Sequence, residues 1–261
     1  MRSTERNGGQ GLPERSGVVS RMLAVLDCFS SADPVLGISE LARRSGLPKS
    51  TVHRLVVDLC DHRIMERVPQ SAGEYRLGVR LFELGELVPV HRSLSGMALP
   101  IMEDLREATR HRVHLAVLDG IDVLYVAILG SGAVHVDSRV GGRLPAHATG
   151  VGKVLLAYAP PSVVEARIEA GLTAFTARTI TSADALVAEL RKIRTHGFAL
   201  DIEESTPGVL CVAAPVFGAD RGIRAGLSVT GITRSIDPGT IGPAVRTAAF
   251  TLTRALRDAG L

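Results

Sequence analysis

The sequence predicts an α+β chain in two parts: an N-terminal winged helix-turn-helix, and a larger C-terminal domain with a mainly antiparallel sheet flanked by helices. Three observations carry this. Residues 38–59 form two short helical patterns broken at Gly46. Residues 64–77 read as a pair of strands around a turn-forming run. Beyond residue 111, strand-like and helical runs mix, and tight turns such as Asp119-Gly120 join paired strands. The chain has 261 residues, 46% of them hydrophobic, which suits one large domain or two smaller ones with a proper core.

The elements follow in order. Residues 1–16 lack periodicity and are expected to be a mobile tail. Met22, Leu23, Val25, Leu26 and Phe29 then mark one helical face, which ends at the run Ser30-Ser31-Ala32-Asp33-Pro34. Helices are expected at Ile38–Ser45 and Lys49–His62, with Ser39 and Ser50 near their starts to accept orphan N–H groups. Strands follow at Ile64–Val68 and Tyr75–Leu77. Leu81, Leu84 and Val88 mark a helix stopped or kinked at Pro89, and another runs over Pro100–His111 with its proline near the first turn. Strands are then expected at His114–Leu118, Val123–Leu129, Val134–Arg139, Leu210–Phe217 and Arg224–Val229. Helices are expected at Gly150–Tyr158, Ser162–Ala170, Ser182–Thr195 and Pro238–Ala259.

Bulk properties exclude several classes. The net charge of +3 is too small to imply nucleic-acid binding without a local basic surface. Cys28, Cys60 and Cys211 are odd in number and form no CxxC pair, which fits a reducing cytoplasm and argues against a disulfide framework or zinc ribbon. The N-terminus lacks the apolar stretch of a secretory signal, and no apolar run is long enough to span a membrane. The histidines show no metal-ligand spacing, and no cofactor is expected.

Residues 38–59, ISELARRSGLPKSTVHRLVVDL, meet the needs of a helix-turn-helix. Ala42 is small where the helices cross, Gly46 accepts the turn, and Leu41, Leu47, Val52, Leu55 and Val56 lock the pair against a third helix. Lys49, Ser50, Thr51, His53 and Arg54 then face away from the apolar set. Ser50 and Thr51 suit phosphates or base edges at a helix start, and Arg54 suits bidentate contact to guanine, worth roughly 1–3 kcal/mol of discrimination. Arg43 and Arg44 would lie over the duplex backbone. The bland alternative is a helical pair with a solvated basic face. The hairpin that follows and the local excess of eight basic over five acidic residues across 36–80 favour double-stranded DNA.

The C-terminal motifs are less decisive. HATGVGK (147–153) fails the phosphate-loop pattern at His147 and Val154, yet Thr149 can cap a helix whose first N–H groups suit a carboxylate. An ordinary capped helix is the alternative. GLSVTG (226–231) fails the nucleophile-elbow pattern, but Ser228 and Thr230 share one strand face. Asp201, Glu203 and His147 leave open an acid–base enzyme, without a nucleophile or metal motif to support it, and Cys211 alone reads as a small buried residue. With nine aromatic residues in the chain, an aliphatic or polar acid is favoured over a ligand in an aromatic cage, although aliphatic walls also accept an aromatic ring.

The ordered segments LARRSGLPKSTVHRLVVDL, YRLGVRLFELG, VHLAVLDGIDVLYV, LPAHATGVGKVLLAY, DIEESTPGVLCVAAPVFG and AGLSVTG resemble the IclR family of transcriptional regulators, from about Val18 to the C-terminus. The resemblance implies a DNA-binding domain over 17–78, a linker helix over 79–96 and a GAF-like effector domain over 97–261. It also implies homodimers that pair into tetramers. It places a small-molecule effector, a carboxylic acid, on Gly150, Val151, Asp201, Cys211, Ser228 and Thr230, with Leu129, Leu144 and Ala146 as weaker candidates for an apolar wall. Thr230 stands where the family commonly has serine, and Pro89 falls where the linker helix would continue. A third reading keeps DNA binding constitutive, with the C-terminal domain serving only to oligomerise.

Overall fold

The computed structural model describes residues 17–30, 32–71, 73–88, 94–130 and 138–261. The expected tail, Pro89 and most of the expected strand Val134–Arg139 lie outside them. The chain divides into two compact units between Val88 and Pro89.

The first unit runs α1 (Val18–Leu26), β1 (Leu36–Gly37), α2 (Ile38–Ser45), α3 (Lys49–Asp61), β2 (Met65–Arg67), β3 (Glu74–Leu77) and α4 (Val79–Gly85). On α3, Val52, Leu55, Val56 and Leu59 form one apolar stripe, which closes over Val25 and Leu41 and reaches Met65 and Tyr75 of the hairpin. Leu23 departs from the expected face of α1 and is exposed. The wing has a strand more than expected: β3 is central, with β2 and the two-residue β1 antiparallel on either side.

Two local expectations are corrected. Gly37 and Pro48 flank the starts of α2 and α3, with no side-chain cap; Ser39 and Ser50 are each the second helical residue, too far in to cap. α4 ends at Gly85, and Glu86 N–H, Leu87 N–H and Val88 N–H close it as a turn, so it stops before Pro89. Within the expected 79–96 linker, Val79–Gly85 is helical and helical backbone resumes at Leu94, with residues 89–93 outside the described residues.

Gly46 ends α2 at φ 69°, a left-handed conformation that costs an ordinary residue about 1–2 kcal/mol. No atom lies within 4 Å of a Cβ built there, so conformation alone sets the cost. Gly46→Ala is expected to lower stability by about 1 kcal/mol in urea unfolding, without moving the packing of α3.

The second unit runs α5 (Gly96–Thr109), β4 (Arg112–Asp119), β5 (Asp122–Leu129), β6 (Arg143–Pro145), a 3₁₀ turn (Ala146–Ala148), α6 (Gly150–Tyr158), α7 (Pro161–Glu169), α8 (Ala183–His196), β7 (Ala199–Ile202), β8 (Val209–Phe217), β9 (Ile223–Ile232) and α9 (Pro238–Asp258). Pro100 falls in the second turn of α5 rather than the first. The sheet order is β6-β5-β4-β9-β8-β7, and every neighbouring pair is antiparallel. β6 and β7 were not anticipated.

Alternation along the strands gives the sheet two different faces. Val113, Leu115, Val212, Leu227 and Val229 pack with Met102 and Leu105 of α5 and Val245, Ala249 and Leu252 of α9. On the other face, Ala116, Tyr125 and Ala213 pack with Val151, Val154 and Leu155 of α6 and Leu186, Leu190 and Ile193 of α8. A register shift at Leu115/Ala116 pairs Leu115 with Ala127 but Ala116 with Tyr125. That irregularity keeps His114 and Tyr125 on the α6 face.

Candidate functional site

In the first unit, burial of Val52, Leu55, Val56 and Leu59 turns the opposite side of α3 outward. Lys49, Ser50, His53 and Arg54 are exposed there, while Thr51 is half-buried. Among the described residues, no ion pair engages Lys49, His53 or Arg54. The two arginines of α2 differ. Both hydrogen-bond Glu40, whose carboxyl is lowered to about 2 by those bonds. Arg44 also reaches Cys28 O (3.2 Å) and Asp33 Oδ2 (3.0 Å), so it ties α2 to the segment before β1. Arg43 keeps a more open guanidinium, with 71% of its side chain exposed.

In the second unit, a cross-strand band of polar side chains interrupts the α6 face of the sheet. Asp201 pairs with Cys211, Cys211 with Thr230, and His114 with Ser228. The N-terminus of α6 sits on this band. Thr149 caps it, its Oγ1 accepting Gly152 N–H at 3.0 Å. Gly150 lets the helix come down on β8: a Cβ there would meet Cys211 Sγ at 3.0 Å. The N–H groups of Gly150 and Val151, the first two of the helix, lack intrahelical acceptors. Between α6 and the sheet is a cavity lined by all six expected effector residues: Gly150, Val151, Asp201, Cys211, Ser228 and Thr230. Its free space is about 20 Å³, room for roughly one or two waters.

The electrostatics favour recognition over catalysis. Burial pushes the Cys211 thiol up to about 11, which keeps it protonated and poorly nucleophilic. His114 is 2% exposed; burial, and then the charge of Arg112, push it down to about 3. It is therefore a neutral ring, with Nε2 at 3.0 Å from Ser138 Oγ and Nδ1 at 3.2 Å from Thr230 Oγ1. Burial raises Asp201, and both of its oxygens are engaged: Oδ1 accepts Glu204 N–H (2.7 Å) and Oδ2 accepts Ser205 Oγ–H (2.9 Å). Asp201 thus holds the loop after β7 that forms one wall of the cavity. Ser228 is 1% exposed, and its Oγ has no nitrogen or oxygen partner among the described residues; the Cys211 thiol beside it is a weak partner. A buried hydroxyl so weakly matched beside two free helix N–H groups is a place for a polar ligand atom.

Sequence reasoning missed His114, Tyr125, Ser138, Ser205, Thr206 and Val209 as lining residues. A histidine in the otherwise apolar run VHLAVL was the one available signal. Of the three weaker wall candidates, Leu144 lines the cavity, whereas Leu129 and Ala146 are not among its lining residues. Nor are Glu203 and His147, so the residues of the enzyme reading are not gathered at one site. His147 instead sits against Thr173 O (3.0 Å) and the Phe175 ring.

Both units match family models: residues 18–69 match the IclR helix-turn-helix domain, and residues 83–252 match the bacterial transcriptional regulator IclR C-terminal domain. The chain is 36% identical over 243 residues to the HTH-type transcriptional regulator XynR of Escherichia coli, covering 91% of this chain and 96% of that one. It is 30% identical over 224 residues to the transcriptional repressor IclR of Escherichia coli, covering 84% of this chain and 81% of that one. The crystal structure of an IclR homolog complexed with 4-hydroxybenzoate from Microbacterium hydrocarbonoxydans superposes with a TM-score of 0.86 at 30% identity, covering 93% of this chain and all of that one. With a helix-turn-helix in one unit, a ligand-type cavity in the other and family matches across both, the chain belongs to the IclR family of bacterial transcriptional regulators.

Proposed function

We propose that this regulator binds operator DNA through α3 and is controlled by a small carboxylic acid held between α6 and the polar band of the sheet. The observation that carries the second half is the buried Ser228 hydroxyl, matched by no nitrogen or oxygen among the described residues and only weakly by the Cys211 thiol, in the same cavity as the start of α6. The bound 4-hydroxybenzoate of the structural relative supports an organic acid. In this reading Gly150 and Val151 offer N–H groups, Ser228 and Thr230 offer hydroxyls, Cys211 packs beside them, and Asp201 shapes the wall. An acid larger than the present free space displaces the walls on binding, which gives the ligand different affinities for two conformations. That difference is what couples a ligand to DNA affinity. The functional parts are 17–78 for DNA, 79–96 as linker and 97–261 for the effector. Exposed Val18, Val19 and Leu23 on α1, and Val79 and Phe82 on α4, favour self-association as a dimer or dimer of dimers. Among the described residues no helix is long and apolar enough to cross a membrane, and the cytoplasm is the proposed location.

On DNA, Lys49 and Ser50 meet phosphate near the start of α3, with Thr51 and His53 beside them. Arg54 reads a base edge, and Arg43 positions the backbone, with Arg44 contributing mainly through its hold on α2. Fluorescence anisotropy on the chain's own upstream region tests this. Arg54→Ala is expected to weaken specific binding about tenfold or more, and binding is expected to fall steeply with salt. Affinity indifferent to both would refute DNA reading by α3.

A further inference from the structure

The cavity does not end at the polar band. A second space adjoins it, lined by Leu144, Pro145, Ala148, Thr149, Phe175, Ser205 and Thr206. Leu144, Thr149, Ser205 and Thr206 wall both spaces, so the two are lobes of one site. Their chemistry differs. The inner lobe presents hydroxyls, a thiol and the start of α6. The outer lobe adds Pro145, Ala148 and the Phe175 ring, all apolar. Phe175 is 39% exposed at the rim, but its segment is anchored. Its N–H donates to Thr179 Oγ1 (3.0 Å), Thr179 Oγ1–H donates to Glu204 O (2.6 Å), and Thr176 Oγ1–H donates to Glu203 O (2.7 Å). The segment that carries Phe175 is thereby fastened to the same loop that Asp201 holds.

We infer that the effector is an elongated, amphiphilic acid, with its carboxylate in the inner lobe and its apolar body running past Thr149 to lie under Phe175. Ala148 and Phe175 then determine the length of body accepted. The inference rests on the acid-site reading above. Each lobe has only about 20 Å³ of free space, so both must open on binding; a body attached to a carboxylate in the inner lobe then meets its matching apolar walls in the outer lobe. Ser228 serves every acid alike, whereas Phe175 serves only those long enough to reach it.

Calorimetric titration of the full chain with acetate, butyrate, hexanoate and octanoate tests this. Affinity is expected to rise about threefold to fourfold for each methylene that enters the outer lobe. Phe175→Ala is expected to weaken hexanoate about tenfold and leave acetate within about twofold. Ala148→Leu is expected to cut off the gain at a shorter chain. Ser228→Ala is expected to weaken every acid by a similar factor. Affinity independent of chain length, or equal losses for all acids in Phe175→Ala, would overturn the inference while leaving the acid site in place. If none of the acids binds, or if Ser228→Ala affects none of them, the acid-site reading itself fails and the inference fails with it.

Discussion

Lys153→Met is expected to destabilise the protein by about 3–5 kcal/mol at neutral pH, because it strands a buried carboxylate. The Lys153 side chain is 1% exposed. Its Nζ donates to Leu200 O at 2.7 Å and to Glu204 Oε1 at 2.5 Å, with Glu189 Oε1 at 3.8 Å. Glu204 Oε2 already lacks a hydrogen-bond partner among the described residues. Burial raises the Glu204 carboxyl and Lys153 opposes that rise, so removing the lysine raises it further. A carboxyl raised above its unfolded value binds more protons in the folded state. Stability therefore falls as pH rises between the unfolded and folded values, and is regained on acidification. The deficit of Lys153→Met should shrink as the pH is lowered towards 5, followed by urea unfolding at each pH. Adding Glu204→Leu should restore much of the stability at neutral pH, since a paired deletion leaves no lone charge. A constant deficit across pH would exclude Glu204 as its source. The same change should weaken acid binding, because Lys153 connects α6 to the loop that walls the cavity.

The second large effect is expected at Gly152. A Cβ there would run into the carbonyl oxygen and Cα of Ala146, and into Thr149 Oγ1. The obstacles are backbone and a capping oxygen already in use, so a rotamer change cannot relieve the clash. Gly152→Ala is expected to cost about 2–3 kcal/mol and to disturb the cap of α6. Acid binding should be lost even at temperatures where the variant remains folded. Ser228→Ala is the informative contrast. It removes a hydroxyl whose one partner among the described residues is the weak Cys211 thiol, so stability should fall little while binding suffers. If Gly152→Ala matched the wild type in urea, the close approach of α6 to the 3₁₀ turn would be refuted.

Legibility followed the range of the interactions that shape each part. The bounds of α2 and α6 were readable because Gly46 and Thr149 mark them locally. Ser39 and Ser50 misled for the same local reason: cap-forming residue types stood two residues past the cap positions Gly37 and Pro48. β1, with two residues, and β6, ending at Pro145, are too short for alternation to register, and β7 follows a helix after only two residues. The cavity was half legible. Its strand hydroxyls and helix start lie in recognisable motifs, but His114 and Tyr125 join them only through pairing across β4, β5 and β9, and Ser138 only through its contact with the His114 ring. Composition alone also does not reveal that Tyr125 and Phe175 line the two lobes.

The two-faced sheet has a consequence for how such a regulator changes over generations. The scaffold's apolar seam against α5 and α9 uses Val113, Leu115, Leu227 and Val229. The residues that line the cavity, His114, Ser228 and Thr230, alternate with these along the same strands. Mutations that retune the chemical signal therefore fall on one side, while those that would dismantle the scaffold fall on the other. Ser228 can be exchanged without touching Leu227 or Val229. Selection for a new inducer can explore the ligand face with the fold held constant, and the inherited DNA address stays with a separate unit of the chain.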